Sequence, residues 1–286
     1  LPPLWVATDQ EGGSVSRLSP PLRKLPRLAD LLRPGQAENE WRAKVDAYAQ
    51  THGRQLASLG VNLNFAPVVD LDRGRLNPKD AFTRISERAI SPVPQTVAQV
   101  AQRYCEGLEN HGVACTLKHF PGLGRVVEDT HVTQGVLAAP ISELAATDWV
   151  PFRRLMRQTA TARFAMAAHV TVPALDPHRP ASTSKPVIDG LLRKSWGYDG
   201  PIVTDDFCMG AIYFGARGIG GASVDALNAG VDMILISWDG TQVYRVLAAL
   251  IDAEHAGKLD RAMLARSKRR LDRASRQLAE LRRGTN

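Results

Sequence analysis

The feature that most constrains the fold is a repeated alternation of short apolar runs and longer segments of helical periodicity. Apolar runs of strand length cover residues 4–9, 61–70, 114–119, 162–169, 202–206 and 232–237. Helical periodicity covers residues 38–59, 96–111, 141–158, 187–196 and 223–229 between them. Strands separated by helices form parallel sheets through βαβ crossovers, with the helices outside. The sequence therefore predicts an α/β fold, a TIM-type (β/α) barrel.

The number of apolar runs bears on whether the barrel is complete. Six strands are recognised, whereas a closed barrel of this class has eight. An open barrel exposes two strand edges and part of its apolar interior, which is costly. We therefore expect a barrel that is incomplete at its N-terminus, with two βα units upstream of Leu1. We assign residues 1–286 to a single barrel domain, since 286 residues with 44% apolar content suffice for one sizeable core.

Polar side chains recur where the apolar runs give way to loops. These residues are Asp9, Asp70, His119, His169 and Asp205. In a parallel barrel the carboxyl ends of all strands open on one face, and that face carries the chemistry. Scattered surface residues would not repeatedly occupy this position, so the pattern predicts an enzyme.

The net charge of +7 raises the question of an anionic partner. Much of the excess lies in residues 258–283, where Arg and Lys alternate with Leu and Met at helical spacing. We interpret this segment as a C-terminal amphipathic helix with a solvated basic face rather than a nucleic-acid or anionic-surface contact. No apolar run has the length of a membrane span. We expect neither a nucleic-acid nor a membrane partner, and the oligomeric state is left open.

The cysteines bear on the cellular compartment. Cys105, Cys115 and Cys208 are odd in number and lack CxxC or metal-ligand spacing. We interpret them as buried thiols in a reducing compartment rather than a disulfide framework, which predicts a cytoplasmic location.

One stretch, residues 116–131, carries an unusual mixture of polar groups. An apolar run ends in Lys118 and His119, breaks at Pro121, and is followed by Asp129 and His131. Lys118 and His119 at a strand exit are suited to hold a polar ligand. Asp129 is suited to orient the imidazole of His131 and raise its basicity. Spacing alone does not separate this interpretation from that of a solvated surface loop.

Seven motifs in chain order carry a resemblance to a known family. They are Asp9 to Gly13 with Arg17, residues 64–70, Arg88, Lys118 to Gly122, Asp129 to His131, residues 166–169 and residues 204–206. Together they resemble the bacterial β-N-acetylhexosaminidases of glycoside hydrolase family 3. The resemblance implies a retaining exo-β-N-acetylglucosaminidase without a cofactor. It also implies a small carbohydrate substrate, the terminal N-acetylglucosamine of peptidoglycan fragments or disaccharides in cell-wall recycling.

The resemblance also implies catalytic roles. Asp205 matches the nucleophile that forms a covalent glycosyl-enzyme, while His131 with Asp129 matches the acid/base. An N-cap is the alternative role for Asp205, although Asp206 suits that role better. An imidazole replaces the usual second carboxylate here. Its near-neutral pKa in general suits it to donate a proton and then accept one.

The same resemblance implies a set of substrate-binding residues. They are Asp9, Arg17, Arg88, Lys118, His119 and His169. Charged donors and acceptors suit the hydroxyl groups of a sugar. For Arg17 and Arg88 the alternative is an ordinary salt bridge. For His169 a satisfied histidine at the edge of the core is an equal alternative.

The chain departs from the family pattern in the catalytic loop. Leu123 stands where the usual Pro-Gly-His-Gly has histidine, Arg125 follows Gly124, and Ser14 occupies a commonly basic position. We expect these changes to alter the resting position of the loop or the leaving-group preference. A glycine-containing loop is also expected to close over bound substrate.

Three other interpretations stay open. The substrate's own acetamido oxygen is an alternative nucleophile, a route that Asp205 and Asp206 would support. A sugar-binding barrel without catalysis would fail to turn over a 4-nitrophenyl N-acetyl-β-glucosaminide. A metal-dependent hydrolase with His119, His131, His169 and Asp205 as ligands would be sensitive to chelators, although no HExxH motif is present.

Overall fold

A six-stranded parallel sheet forms the centre of the computed structural model, which describes residues 4–157 and 163–283. Its strands are β1 (Ala7–Thr8), β2 (Leu63–Asn64), β3 (Ala114–Phe120), β4 (Phe164–Ala167), β5 (Ile202–Asp206) and β6 (Met233–Leu235). Each strand pairs in parallel with the next one along the chain. The predicted α/β fold, an incomplete (β/α) barrel, is confirmed.

Helices connect these strands and pack outside them. They are α1 (Glu38–Ser58), α2 (Pro94–Glu109), α3 (Ile141–Ala146), α4 (Trp149–Met156), α5 (Pro186–Ser195, of π type), α6 (Gly218–Ala229), α7 (Gln242–His255) and α8 (Arg261–Arg283). Short helical turns occur at Leu28–Leu31, Ile85–Arg88, Ala181–Thr183 and Gly210–Tyr213. Two small sheets complete the structure, Gln10–Gly12 with Val15–Ser16, and Gly135–Val136 with Val170–Val172 and Asp176–Pro180.

Helix α2 shows why these segments are helical and how they pack. It begins at Pro94. Proline is suited to the first turn of a helix because the N–H groups of that turn have no hydrogen-bond partner within the helix. Val97, Ala101, Tyr104 and Leu108 follow at spacings of three and four, and all are fully buried. Each buried valine or leucine of this kind contributes about 1.5–3 kcal/mol. The apolar stripe thus fixes the helix that precedes β3.

The segment expected to be one helix, residues 141–158, forms two. Helix α3 ends at Ala146, and α4 begins at Trp149. Pro151 lacks a backbone N–H and is tolerated only in the first turn of a helix, so a new helix starts just before it. The expected last residue of this helix is Gln158, and the expected first residue of the next strand is Ala162. Both lie outside the described residues.

Helix α8 packs on the barrel through Met263, Ala274 and Leu278, which are buried. Arg270, expected on a solvated basic face, is instead buried and pairs with Asp232 at 2.9 Å. Other basic residues of the helix, such as Arg269, are exposed. Among residues 4–157 and 163–283, no helix combines the length and the apolar composition needed to cross a bilayer.

The expectation of three free thiols is wrong for two of them. Cys105 on α2 and Cys115 on β3 form a disulfide, with their Cα atoms 5.4 Å apart, while Cys208 is free. Helix α2 packs directly against the sheet, so its last turns lie over the strand that follows. Disulfides are rare in reducing compartments, so the thiol argument no longer supports a cytoplasmic location.

Alkylation of the denatured protein tests this pairing. Before reduction we expect one adduct, on Cys208, because the other two sulfurs are bonded to each other. After reduction all three cysteines should react, and intact mass reports the number of adducts. Three adducts before reduction would contradict the disulfide.

Candidate active site

A cavity of about 330 Å³ opens where the parallel strands end. Seven of the nine predicted site residues line it, namely Asp9, Arg17, Arg88, Lys118, His119, His131 and Asp205. Asp9 follows β1, Lys118 and His119 lie near the end of β3, and Asp205 lies near the end of β5. The topology therefore gathers residues that are up to about 200 positions apart in sequence, as expected for a parallel barrel.

A buried network of charges forms one wall of the cavity. The Lys118 ammonium lies 2.7 Å from Asp9 and 2.6 Å from Glu11. Arg88 donates to both carboxylate oxygens of Glu11, at 3.0 and 2.6 Å. Such bidentate, charge-assisted bonds are strong and fix the geometry of the guanidinium. The two cations are therefore held in place before any ligand binds.

The pKa values of these groups show that the network is charged. Burial opposes ionisation of Glu11, but Arg88 and Lys118 hold its pKa far below the usual range. Burial also opposes the charge on Lys118, but Asp9 and Glu11 raise its pKa above the ordinary value. Glu11 was not among the predicted site residues. Its place in the motif Asp9 to Gly13, two residues after a strand-end carboxylate, was the available signal.

The two arginines differ in their partners. Arg88 forms the salt bridge that was its alternative interpretation and still lines the cavity, so both roles are compatible. Arg17 is exposed at the cavity and has no ion pair within the described part of the chain. Its guanidinium is thus available to a ligand.

His119 is oriented by a carboxylate that the sequence reading left without a role. Its Nδ1 lies 2.7 Å from Asp70, which also accepts the His119 N–H at 3.1 Å and the Leu123 N–H at 2.7 Å. Its Nε2 lies 3.3 Å from the Arg88 guanidinium, which can only donate. We therefore assign the proton to Nδ1, and His119 faces the cavity in a fixed orientation.

Asp129 and His131 form the predicted hydrogen-bonded pair. The Asp129 Oδ1 atom lies 3.2 Å from His131 Nδ1 and accepts the His131 N–H at 3.1 Å. Asp129 also accepts the N–H groups of Ala81 and Phe82, at 3.2 and 3.0 Å. The Thr83 hydroxyl donates to it at 2.8 Å and lies 3.2 Å from His131 Nδ1. Within the described residues His131 Nε2 has no hydrogen bond, so this nitrogen is left for a ligand.

These bonds keep Asp129 ionised. Burial opposes its charge, but the hydrogen bonds from Thr83, His131 and Phe82 outweigh that effect and lower its pKa. Thr83 was missed because the loop that carries it, residues 71–84, shows neither helical nor strand periodicity. An ionised Asp129 can accept a hydrogen bond from His131 Nδ1 and so orient the imidazole.

The unusual residues of the loop that carries Asp129 and His131 have structural roles. Leu123 is buried in a cluster that includes Trp149. Arg125 donates to Asp148 at 2.7 Å and lies 2.6 Å from Glu143. The loop is thus attached to α3 and to the start of α4 through these two side chains.

The main chain of His131 is joined to the segment that follows β5. Its carbonyl accepts the N–H of Gly210 at 2.8 Å. A Cβ atom at Gly210 would lie 2.3 Å from the Val132 carbonyl oxygen, so only glycine permits this approach. The loop carrying His131 and the turn after Asp205 are therefore in direct contact.

Asp205 and Asp206, although adjacent, differ in their surroundings. Burial opposes the charge on Asp205, but His119, His169 and the Asp206 N–H lower its pKa below the ordinary value. Its carboxylate lines the cavity in the ionised form and is bonded only to the Asp206 N–H, at 2.9 Å, among the groups described.

The Asp206 carboxylate is saturated by structural hydrogen bonds. It accepts the N–H groups of Cys208, Ser237 and Trp238 at 3.0, 3.1 and 3.0 Å, and the Ser237 hydroxyl at 2.6 Å. Asp206 thus joins the turn after β5 to the loop after β6. It is not the N-cap that was expected, because the next helical turn, Gly210–Tyr213, begins after Met209 and has no side-chain cap.

His169 does not line the cavity, and its substrate-binding role needs correction. The ring is fully buried, with Nδ1 2.9 Å from the Ser182 hydroxyl and Nε2 3.0 Å from the Asp206 carbonyl oxygen. Both ring nitrogens have hydrogen-bond partners within the protein. The structure therefore agrees with the alternative interpretation, a hydrogen-bonded histidine at the edge of the core.

The donor set required by a metal-dependent hydrolase is not assembled in the residues that the structure covers. Among them, no group of three or more His, Cys, Asp or Glu side chains has an arrangement that could hold a metal ion.

Known proteins are similar to this chain in sequence and fold. A family model described as the glycosyl hydrolase family 3 N-terminal domain matches residues 2–274. A protein named beta-hexosaminidase from Xanthomonas oryzae pv. oryzae is 38% identical over 235 residues, covering 82% of this chain and 67% of the relative. Beta-hexosaminidase LpqI from Mycobacterium tuberculosis is 37% identical over 278 residues, covering 93% of this chain and 66% of the relative.

A solved structure of a member of the same family is similar to this chain in fold. A glycoside hydrolase family 3 beta-N-acetylglucosaminidase from a Paenibacillus species superposes with a TM-score of 0.88 at 34% identity. The match covers 98% of this chain and 51% of the Paenibacillus chain. The chain thus spans about two thirds of the length of the curated relatives and about half of that structure.

The substitution Glu11→Gln tests the buried network. It leaves Arg88 and Lys118 buried with too little negative charge, so we expect a loss of about 3 kcal/mol in the free energy of unfolding at pH 7. The folded-state pKa of Glu11 is depressed. The contribution of ionised Glu11 to stability is therefore present above its unfolded-state pKa and is lost as the pH falls. The difference in unfolding free energy between the unmodified chain and Glu11→Gln should accordingly narrow below about pH 4.

Urea denaturation at several pH values measures both effects. Glu38→Gln removes the carboxylate of an exposed ion pair with Arg42 and serves as the matched control, with an expected change below about 1 kcal/mol. Equal losses for the two variants would contradict the proposed importance of the network.

Proposed function

The chain belongs to glycosyl hydrolase family 3, and from this premise we propose that it is the catalytic barrel of a retaining exo-β-N-acetylglucosaminidase. Membership confirms the resemblance in the seven motifs. The observation that carries the proposal is the presence of Asp205 and the His131–Asp129 pair at one cavity, together with charged groups suited to sugar hydroxyls.

In the first step Asp205 attacks the anomeric carbon of the terminal sugar. The ionised state of its carboxylate supports this role. His131 donates the proton on Nε2 to the glycosidic oxygen as the bond from that oxygen to the anomeric carbon breaks. Asp129, bonded to Nδ1, fixes the tautomer and stabilises the imidazolium, as a carboxylate does in a serine-protease triad.

In the second step His131 acts in the opposite direction. The neutral imidazole removes a proton from water, the water oxygen bonds to the anomeric carbon, and Asp205 leaves as a carboxylate. Two displacements at the same carbon retain its configuration. One imidazole thus serves both steps as acid and then as base.

The charged wall of the cavity is suited to the terminal sugar. Asp9 and the Arg17 guanidinium each retain hydrogen-bonding capacity toward a ligand, whereas Arg88, Lys118 and His119 are fixed by Glu11 and Asp70. Fixed donors reduce the entropy lost on binding. A cavity of about 330 Å³ is at the lower end for small-molecule sites and suits one terminal sugar, which supports exo action.

The alternative route through the substrate's acetamido oxygen has less support. That route needs a free carboxylate next to Asp205 to orient the acetamido group. Asp206 is already bonded to Cys208, Ser237 and Trp238. Direct attack by Asp205 is therefore the favoured route.

We propose N-acetylglucosamine at the non-reducing end of a small carbohydrate, such as a peptidoglycan fragment, as the substrate. The support is the motif resemblance, together with relatives named beta-hexosaminidase and a structural neighbour named beta-N-acetylglucosaminidase. Release of N-acetylglucosamine from a 4-nitrophenyl glycoside is the direct test. A sugar-binding barrel without catalysis would bind the glycoside without turnover.

Replacement of Asp205 tests the nucleophile. We expect Asp205→Asn to lower kcat by at least about 10⁴-fold with an unchanged circular dichroism spectrum, because the covalent step is lost. In Asp205→Ala, azide should restore turnover of the aryl glycoside and give the α-glycosyl azide, since azide enters from the face that the carboxylate used. Near-normal turnover in Asp205→Asn would remove this residue from the role.

Replacement of His131 tests proton donation. We expect His131→Ala to lower kcat/KM about 10²–10⁴-fold for a disaccharide, whose leaving group must be protonated. A 2,4-dinitrophenyl glycoside should lose far less, because its leaving group needs no proton. An equal loss for both substrates would count against His131 as the acid.

A further inference from the structure

Four aromatic side chains in the described residues are strongly exposed. The exposed fractions are 61% for Phe82, 80% for Phe214, 86% for Trp238 and 76% for Tyr244. Only Phe82 and Trp238 among these four line the catalytic cavity. Single exposed apolar residues are ordinary on protein surfaces, so their position is the informative property.

Phe82 is tied to the proposed acid/base pair. Its backbone N–H donates to Asp129 at 3.0 Å, and its ring centroid lies 5.7 Å from that of His131 with the rings inclined at 41°. The phenyl ring thus lies beside the imidazole and still exposes most of its surface. Among the described residues, Phe82 belongs to none of the buried apolar clusters, so core packing does not account for an aromatic side chain here.

Trp238 is tied to the other catalytic element. Its backbone N–H donates to the Asp206 carboxylate at 3.0 Å. The preceding residue, Ser237, donates to the same carboxylate through its backbone N–H and its hydroxyl. Asp206 directly follows Asp205. The backbone under the indole is therefore fixed, although the indole is the most exposed of the aromatic rings described.

The proposed reaction determines which part of the substrate meets these rings. His131 protonates the oxygen that joins the terminal sugar to the next group. That next group therefore lies beside His131 and toward the mouth of the cavity, where the two rings are exposed. A β-linked pyranose presents C–H groups on its faces, and such apolar faces stack on aromatic rings.

We propose that Phe82 and Trp238 form the binding site for the leaving-group sugar, a pyranose ring that contacts both aromatic side chains. This inference rests on the proposed function, because the position of the leaving group follows from the role of His131. The two rings make a sugar leaving group better bound than an alkyl group. The preferred substrate is accordingly a disaccharide or longer carbohydrate.

The experiment compares two substrates with equally poor leaving groups, N,N′-diacetylchitobiose and methyl N-acetyl-β-glucosaminide. Both need a proton from the enzyme, but only the first has a second ring. We expect Phe82→Ala and Trp238→Ala each to lower kcat/KM for the disaccharide about tenfold. For the methyl glycoside we expect a change below about twofold. Coupled detection of released N-acetylglucosamine measures both rates.

Further variants separate ring contact from indirect effects. Phe82→Tyr and Trp238→Phe keep an aromatic face and should retain most of the activity on the disaccharide. Phe214→Ala and Tyr244→Ala remove aromatic rings of similar exposure away from the cavity and should change neither substrate. The alanine variants keep the backbone N–H groups that bind Asp129 and Asp206, and thermal unfolding checks their fold.

Three outcomes would overturn the assignment. Equal losses on both substrates would show that the rings act through His131 or Asp206 rather than on the second sugar. Unchanged rates on the disaccharide would show that the rings do not contact it. Absence of turnover by the unmodified chain on both substrates and on the 4-nitrophenyl glycoside would contradict the proposed function itself, and the leaving-group site with it.

Discussion

The charge network around Glu11 is the interaction on which the rest of the site depends. A buried carboxylate is tolerated only when it is paired, and Glu11 is paired twice, with Arg88 and Lys118. These three residues come from the segment after β1, the turn Ile85–Arg88 and the strand β3. Their pairing holds three distant parts of the chain together at the carboxyl ends of the strands. The groups proposed to bind the sugar are consequently fixed by the same contacts that hold this end of the sheet.

A second set of contacts places the proposed acid/base. Asp129 is surrounded by N–H and hydroxyl donors from the loop at residues 81–83, so its position does not depend on His131 alone. Leu123 and Arg125 fix the start of the same loop against helices. The two residues that depart from the family pattern thus contribute to the attachment of the loop. His131 lines the cavity, and Asp129 is its hydrogen-bond partner.

The sequence was informative where a residue's role follows from its place in a repeating pattern. Six apolar runs gave six strands in the expected order, and strand-end residues such as Asp9 and Asp205 reached one cavity, because parallel topology sends all strand ends to one face. Residues whose roles depend on tertiary contacts were missed or misread. Thr83 lies in an irregular loop, Cys105 meets Cys115 only through helix packing, and both nitrogens of His169 are occupied by groups distant in sequence. Helix α7, Gln242–His255, was also missed.

The backbone hydrogen bond between the His131 carbonyl and the Gly210 N–H has a consequence for how this site can diverge. It joins the loop of the proposed proton donor to the turn after the proposed nucleophile through main-chain atoms, which are the same for every amino acid. Side chains elsewhere in the two loops can therefore vary, and alter which molecules are accepted, without breaking that hydrogen bond. Glycine at position 210 is the one residue type that this arrangement demands, since any side chain would force the two loops apart.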